Sequence, residues 1–223
     1  MPEFPHLSGA LVFTLFETTA VIAAAVAGMI LAANKSMDII GAYALACINA
    51  FAGGTVRDLL LDNRPFYWME HYLLLVVILA LCIPFVYSAR IFHLASEMHR
   101  RSVVIDAIGL ALFTMTGTGI ALHQGRPLIV AALMGVVTGT MGGVVRDVVV
   151  NEVPDLFRPG GLYATASFTG AIVLIAGIQY GMQYPEASAL GIVVVVALRL
   201  LSLRLGVTVP APQWAARDRA GEP

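Results

Sequence analysis

Two six-residue stretches constrain what this chain can fold into: Gly53-Gly54-Thr55-Val56-Arg57-Asp58 and Gly142-Gly143-Val144-Val145-Arg146-Asp147. Each sits late in a long apolar run. Paired glycines weaken a helix there, and an Arg-Asp pair carries both signs of charge toward hydrocarbon. The step from Gly53 to Gly142 is 89 residues, and the same step carries Glu17 onto Asp106, Ala42 onto Ala131 and Pro65 onto Pro154 without a gap. The chain reads as an internal duplication.

A membrane-crossing helix needs about 20 mostly apolar residues. Cutting at Pro, Gly and charged clusters leaves seven such runs, over residues 9–33, 38–62, 71–90, 102–123, 127–150, 162–182 and 187–206. Of 223 residues, 59% are hydrophobic and 12% charged, so the expected fold class is an all-α integral membrane protein. Three crossings per copy force the second copy to enter the membrane in the opposite sense. Residues 9–90 are therefore repeat 1, residues 102–182 repeat 2 (inverted), residues 187–206 a seventh transmembrane helix, and residues 207–223 a flexible cytoplasmic tail. Met1 to His6 lack the basic stretch and cleavage site of a signal peptide, so the first run is expected to be retained.

Loop charge sets the expected orientation. Lys35, Arg90, Arg100, Arg101, Arg158, Arg204, Arg217 and Arg219 fall on one side, and only Arg64 and Arg126 on the other. This predicts an N-terminus outside and a C-terminus in the cytoplasm of a multi-pass protein of the cell (plasma or inner) membrane. Phe66, Tyr67, Trp68, Tyr180 and Tyr184 are then available for the outer aromatic belt, and Phe157 and Tyr163 for the inner one.

Inverted repeats commonly place a permeation or substrate site between their halves. Depth along the runs brings Glu17 beside Arg57 and Asp58 toward the outer face, and Asp106 beside Arg146 and Asp147 toward the inner face. Each group has two carboxylates and one guanidinium, a balance that favours cations in a wet path. Arg199, near the cytoplasmic end of the seventh run, is expected to snorkel to the interface. Asn49 and Thr138, with other threonines of runs one, two, four and five, offer neutral hydrogen-bonding groups between the charged clusters. Small residues recur every fourth position, Ala46, Ala50 and Gly54 in run two and Gly135, Gly139 and Gly143 in run five, a pattern that lets helix backbones approach. The double glycines Gly53-Gly54 and Gly142-Gly143 are read as a kink or break, with packing as the alternative.

No zinc-binding His-Glu-x-x-His or nucleophile-elbow Gly-x-Ser-x-Gly occurs. Cys47 and Cys82 fall in apolar runs, and a net charge of −1 comes without a basic face. The expectation is no enzyme, no cofactor, no bound metal beyond transient K⁺ and no nucleic-acid partner.

The two Gly-Gly-x-x-Arg-Asp motifs in consecutive three-helix repeats, followed by a seventh helix, resemble the prokaryotic trimeric intracellular cation (TRIC-type) channels, also labelled a glycine-transporter or uncharacterised membrane domain. The resemblance covers residues 10 to 206. It implies a homotrimer in membrane lipid, each protomer with its own potassium-permeable pore lined by helices one, two, four and five. Helices two and five would be kinked at Gly53-Gly54 and Gly142-Gly143, and Na⁺ would be a second permeant ion. The Lys-Glu-Val motif of the animal reticulum members is missing. A secondary transporter of a small solute such as glycine suits the same pattern, because alternating access also uses inverted repeats and broken helices.

Overall fold

The protein is described here from a computed structural model that covers residues 6–88, 99–158 and 162–205. The expected tail at 207–223, together with Arg90, lies outside the described residues. Seven helices carry the fold: α1 (His6–Asn34), α2 (Ile39–Leu61), α3 (Leu73–Tyr87), α4 (His99–His123), α5 (Leu128–Val149), α6 (Ala164–Gln179) and α7 (Tyr184–Leu205). A one-turn helix, Tyr67–Glu70, precedes α3. Among the described residues no strand occurs, and the chain is an all-α integral membrane protein with seven transmembrane helices. Five helices are long and apolar enough to cross a membrane by themselves. α3 and α6, with 15 and 16 residues, are shorter than runs 71–90 and 162–182 suggested. At 1.5 Å per residue each falls short of the roughly 30 Å hydrocarbon layer.

The duplication persists in the backbone. α2 ends at Asp62 and α5 at Asn151, both left-handed with φ of 53° and 58°. In each case the next N–H returns to the helix at 2.8 Å, Asn63 to the Asp58 carbonyl and Glu152 to the Asp147 carbonyl. α1 and α4 end the same way. Ser36 and Gly125 take positive φ, and Met37 and Arg126 donate back to the carbonyls of Ala32 and Ala121 at 3.0 Å. Every one of these pairs is 89 residues apart. Short polar residues and glycine suit these positions because the left-handed region costs them least.

Glycines make the crossings between helices. A Cβ on Gly28 would lie 3.0 Å from the Leu45 carbonyl oxygen, and one on Gly117 would lie 2.7 Å from that of Met134, so α1 meets α2 as α4 meets α5. Where α2 meets α5 the contact is reciprocal. A Cβ on Gly53 would overlap the Thr138 carbonyl, and one on Gly142 would stand 2.5 Å from the Asn49 carbonyl. Asn49 and Thr138 are themselves 89 residues apart, so the pseudo-two-fold relation passes through this crossing.

Of the expected kink or break, a break is excluded. Both α2 and α5 run as uninterrupted helix through their glycine pairs. The missing Cβ serves close backbone approach, which is the other use of glycine in a helix.

α3 lies at the periphery and exposes Leu73, Val76, Val77, Leu79 and Ile83, as expected of a lipid-facing helix. α7 packs along α6 and α4 and thereby reaches the charged residues of the second repeat.

Candidate functional site

The two carboxylate–arginine groups form at opposite ends of the helix bundle, and they differ. At the first, Arg57 donates from Nη1 to Glu17 Oε1 and from Nε to Asp58 Oδ1, both at 2.9 Å. All three side chains are at most 2% exposed. Asn63 adds a hydrogen bond to Asp58 Oδ1 at 3.2 Å. Above the group, the hydroxyls of Thr18 and Tyr67 are 2.9 Å apart. Gly54 lies beside the group, where a Cβ would make ordinary contact at 3.5 Å from Arg57 Nη2 and 3.7 Å from Glu17 Oε1. The two glycines of the motif thus have separate tasks, Gly53 at the helix crossing and Gly54 beside the guanidinium. Glu17 Oε2 and Asp58 Oδ2 are buried without a hydrogen-bond partner.

At the second end Arg146 holds Asp147 equally closely, at 2.8 Å from Nε and 2.7 Å from Nη2. Asp106, the counterpart of Glu17, is 4.0 Å from Arg146 Nη1, beyond hydrogen-bond range. Aspartate is one methylene shorter than glutamate, so its carboxylate stops short. The expected approach of an acid to each arginine is therefore a tight bond at Arg57 and a loose ion pair at Arg146. Gly143 repeats the part of Gly54, with a would-be Cβ 3.8 Å from Arg146 Nη2.

Arg199 was expected at the membrane interface. Instead it is buried at 6% exposure, with Nη2 4.0 Å from Asp106 and 3.8 Å from Asp155, and its guanidinium lies 4.6 Å over the Tyr163 ring. Tyr163, assigned to an aromatic belt, is buried at the same place, and Tyr184, assigned to the other belt, is buried with its hydroxyl donating to the Met115 carbonyl at 3.1 Å. The signal that could have flagged Arg199 is its position on α7 with apolar residues on either side, in a chain with few charges in its spans.

Three voids follow one face of α1. A cavity of about 260 Å³ opens at the Arg146 end, bordered by Ala27, Leu31 and Asn34 of α1, by Asp106, Arg146, Asp147 and Arg199, and by Glu152, Asp155 and Arg158 of the loop after α5. Next along the bundle, a void of about 20 Å³ shares Ala27 and Asp106 with it and adds Ala24, Asn49, Phe113, Gly142 and Gly143. A third, of about 10 Å³, lies among Glu17, Val21, Ala50, Gly54, Asp58 and Tyr67. Positions 17, 21, 24, 27, 31 and 34 recur every three or four residues, which is one helical face. Val21, Phe51 and Phe113 belong to a single buried apolar cluster, with Phe113 bordering the second void and Val21 and Phe51 the third.

Asn49 borders the second void, where its Nδ2 donates to the Ala24 carbonyl at 2.7 Å. Thr138 borders none of the three. Its hydroxyl donates to its own helix at Met134, as those of Thr55, Thr114, Thr116 and Thr140 do within their helices. Each of these hydroxyls directs its proton to its own helix, which leaves the oxygen lone pairs free, and Thr55 borders the third void. At the mouth of the large cavity Lys35 pairs with Glu152, and Arg158 with Glu152 and Asp155 at 3.6 and 3.7 Å. The hydrogen bond from Lys35 holds the Glu152 carboxyl below its ordinary value of 4.5.

The duplication also governs how the chain compares with known proteins. The family described as glycine transporter matches it twice, over residues 14–89 and again over 103–179. The chain belongs to the glycine-transporter family. Among curated relatives, the UPF0126 inner membrane protein YadS of Escherichia coli (strain K12) is 36% identical over 191 residues, 83% of this chain and 89% of that protein. The UPF0126 membrane protein of Deinococcus radiodurans is 30% identical over 192 residues, 85% and 87% of the two chains. Among solved structures, the TRIC trimeric intracellular cation channel orthologue from Rhodobacter sphaeroides superposes with a TM-score of 0.80 at 31% identity, covering 88% of this chain and 99% of that one. A second TRIC cation channel superposes with a TM-score of 0.79 at 27% identity, covering 90% and 97%. The fold of this glycine-transporter family member is that of the TRIC cation channels.

Proposed function

We infer that this protein is a cation channel whose permeation path runs inside each protomer along one face of α1, between α2, α4 and α5. The observation that carries this reading is the file of three voids bordered by that face, with a carboxylate–arginine group at either end. Potassium as the principal ion and Na⁺ as a second follow the resemblance to the TRIC-type channels, and the two carboxylates in the innermost charged layer at each end favour cations over anions. The assembly is a homotrimer, a reading supported by what the TRIC structures are described as forming. The path as it stands is shut at the Arg57 end, where the ion pairs are dry and where Val21, Phe51 and Phe113 form an apolar constriction that water enters reluctantly.

Lys35 and Arg158 gather at the Arg146 end, whereas Arg126 reaches the Leu61 carbonyl at the other end. By loop charge the Arg146 end faces the cytoplasm. A cysteine at Arg101 that reacts with an impermeant reagent in intact cells would reverse this orientation.

A second reading, a carrier for a small solute such as glycine, is favoured by one observation. The 260 Å³ cavity presents both signs of charge at one end of the bundle, which suits a zwitterion in an alternating-access cycle. Reconstitution in planar bilayers separates the two. Unitary current steps, with a reversal potential in a KCl gradient displaced toward that of K⁺, are expected of the channel. Saturable glycine uptake without unitary current would replace it with the carrier.

A further inference from the structure

We propose that Arg199 of α7 sets the charge selectivity of the cavity at the Arg146 end, holding its preference for cations below that of the sealed end. The proposal rests on the channel reading above. The repeats alone give each end two carboxylates and one guanidinium. α7 stands outside the duplication and brings a further guanidinium to one end only, so Asp106 and Asp147 face Arg146 and Arg199 in equal number.

The geometry distinguishes a fixed field charge from a structural salt bridge. Neither ion pair of Arg199 is within hydrogen-bond range, at 3.8 and 4.0 Å, and its Nε has no partner although the residue is 6% exposed. The Tyr163 ring lies beneath it, with the guanidinium carbon 4.6 Å from the ring centroid, and holds the charge in place by a cation–π contact. A cation held in this way on the wall of a narrow cavity acts on whatever enters, because low-dielectric walls focus its field and few ions are present to screen it. Farther out, Lys35 and Arg158 already balance Glu152 and Asp155, so the outer charges do not compensate for a change at position 199.

The test is the reversal potential of single channels in a KCl gradient. Arg199→Gln leaves the cavity net negative by one and is expected to raise the K⁺ over Cl⁻ permeability ratio by at least about threefold. Arg199→Lys keeps the charge without the guanidinium and should keep the ratio at that of the parent. Should Arg199→Gln fail to fold, Arg199→Cys carries the test in a protein already assembled. A positively charged thiol reagent should restore the parent ratio, and a negatively charged one should raise it beyond that of the glutamine variant. Conducting variants that share the parent's reversal potential, whatever their charge at 199, would overturn the proposal and leave the channel reading standing. A parent that passes no unitary current removes both.

Discussion

The two ends of this molecule start from the same six-residue motif and finish differently. At Arg57 the three charged side chains are buried and joined at 2.9 Å; at Arg146 one acid is held at 2.8 Å, the other stands off at 4.0 Å, and the group looks into a cavity of about 260 Å³. Three substitutions between the repeats account for the contrast. Glu17 became Asp106 and lost the reach to its arginine. Asn63 bonds to Asp58, whereas its counterpart Glu152 is drawn outward by Lys35. Lys35 in turn has the neutral counterpart Gln124, so the other end has no such pair. The motif specifies a charged helix junction, and its neighbours decide whether water reaches it.

Removing each arginine should break the comparison most visibly. Arg57→Met leaves two buried carboxylates without their cation and is expected to cost about 3–5 kcal/mol, whereas Arg146→Met, at a group already open to water, should cost well under half as much. Thermal unfolding of the two variants in detergent gives the answer, and equal losses would mean that the two ends are not distinct environments.

Exchanging the acids should move each end toward the other. Glu17→Asp shortens the side chain that reaches Arg57 and is expected to cost about 1.5–3 kcal/mol, the range for a hydrogen bond to a charged group. Asp106→Glu should close the 4.0 Å gap, raise the unfolding temperature and narrow the path, seen as a lower unitary conductance. An unchanged conductance in Asp106→Glu would show that the gap is no part of the ion route.

The glycines provide a smaller contrast within a single motif. Gly53→Ala forces a methyl group into the Thr138 carbonyl and should destabilise by about 1–3 kcal/mol. Gly54→Ala meets its nearest atom at 3.5 Å, and its better helix propensity, roughly 1 kcal/mol, should leave it neutral or slightly more stable. If instead both variants gained stability alike, the glycines would be bending points rather than contact points.

The Lys35–Glu152 pair should have the smallest effect. Glu152 is held below 4.5, so its contribution is complete above that value and is lost as the pH falls through the lowered one. Both partners are more than a third exposed, at 38% and 37%, and solvent screening keeps the pair under about 1 kcal/mol. Lys35→Gln should therefore shift the unfolding temperature slightly at pH 7, with the shift shrinking as the pH falls through the lowered value.

The sequence already carried the architecture. A step of 89 residues exposed the repeat, and helix depth alone put Glu17 next to Arg57. What it could not separate was the purpose of the paired glycines, because flexibility and close approach both demand a missing Cβ. The reciprocal contacts of Gly53 with residue 138 and Gly142 with residue 49 establish the close approach. Arg199 was misread because a lone arginine near a helix end ordinarily snorkels. Its partners Asp155 and Tyr163 come from the loop after α5 and the start of α6, and no periodicity relates them to α7.

The central claim is that the path is open to water at the Arg146 end and closed at the Arg57 end, and thiol accessibility tests it directly. With Cys47 and Cys82 replaced by alanine, Ala27→Cys would place a thiol on the large cavity, and Ala50→Cys would place one on the void beside Glu17 and Asp58. A small hydrophilic thiol reagent, applied to the resting protein in liposomes, is predicted to modify position 27 at least about a hundredfold faster than position 50, since an apolar constriction excludes the hydrated reagent. Equal rates, or faster reaction at position 50, would contradict the account.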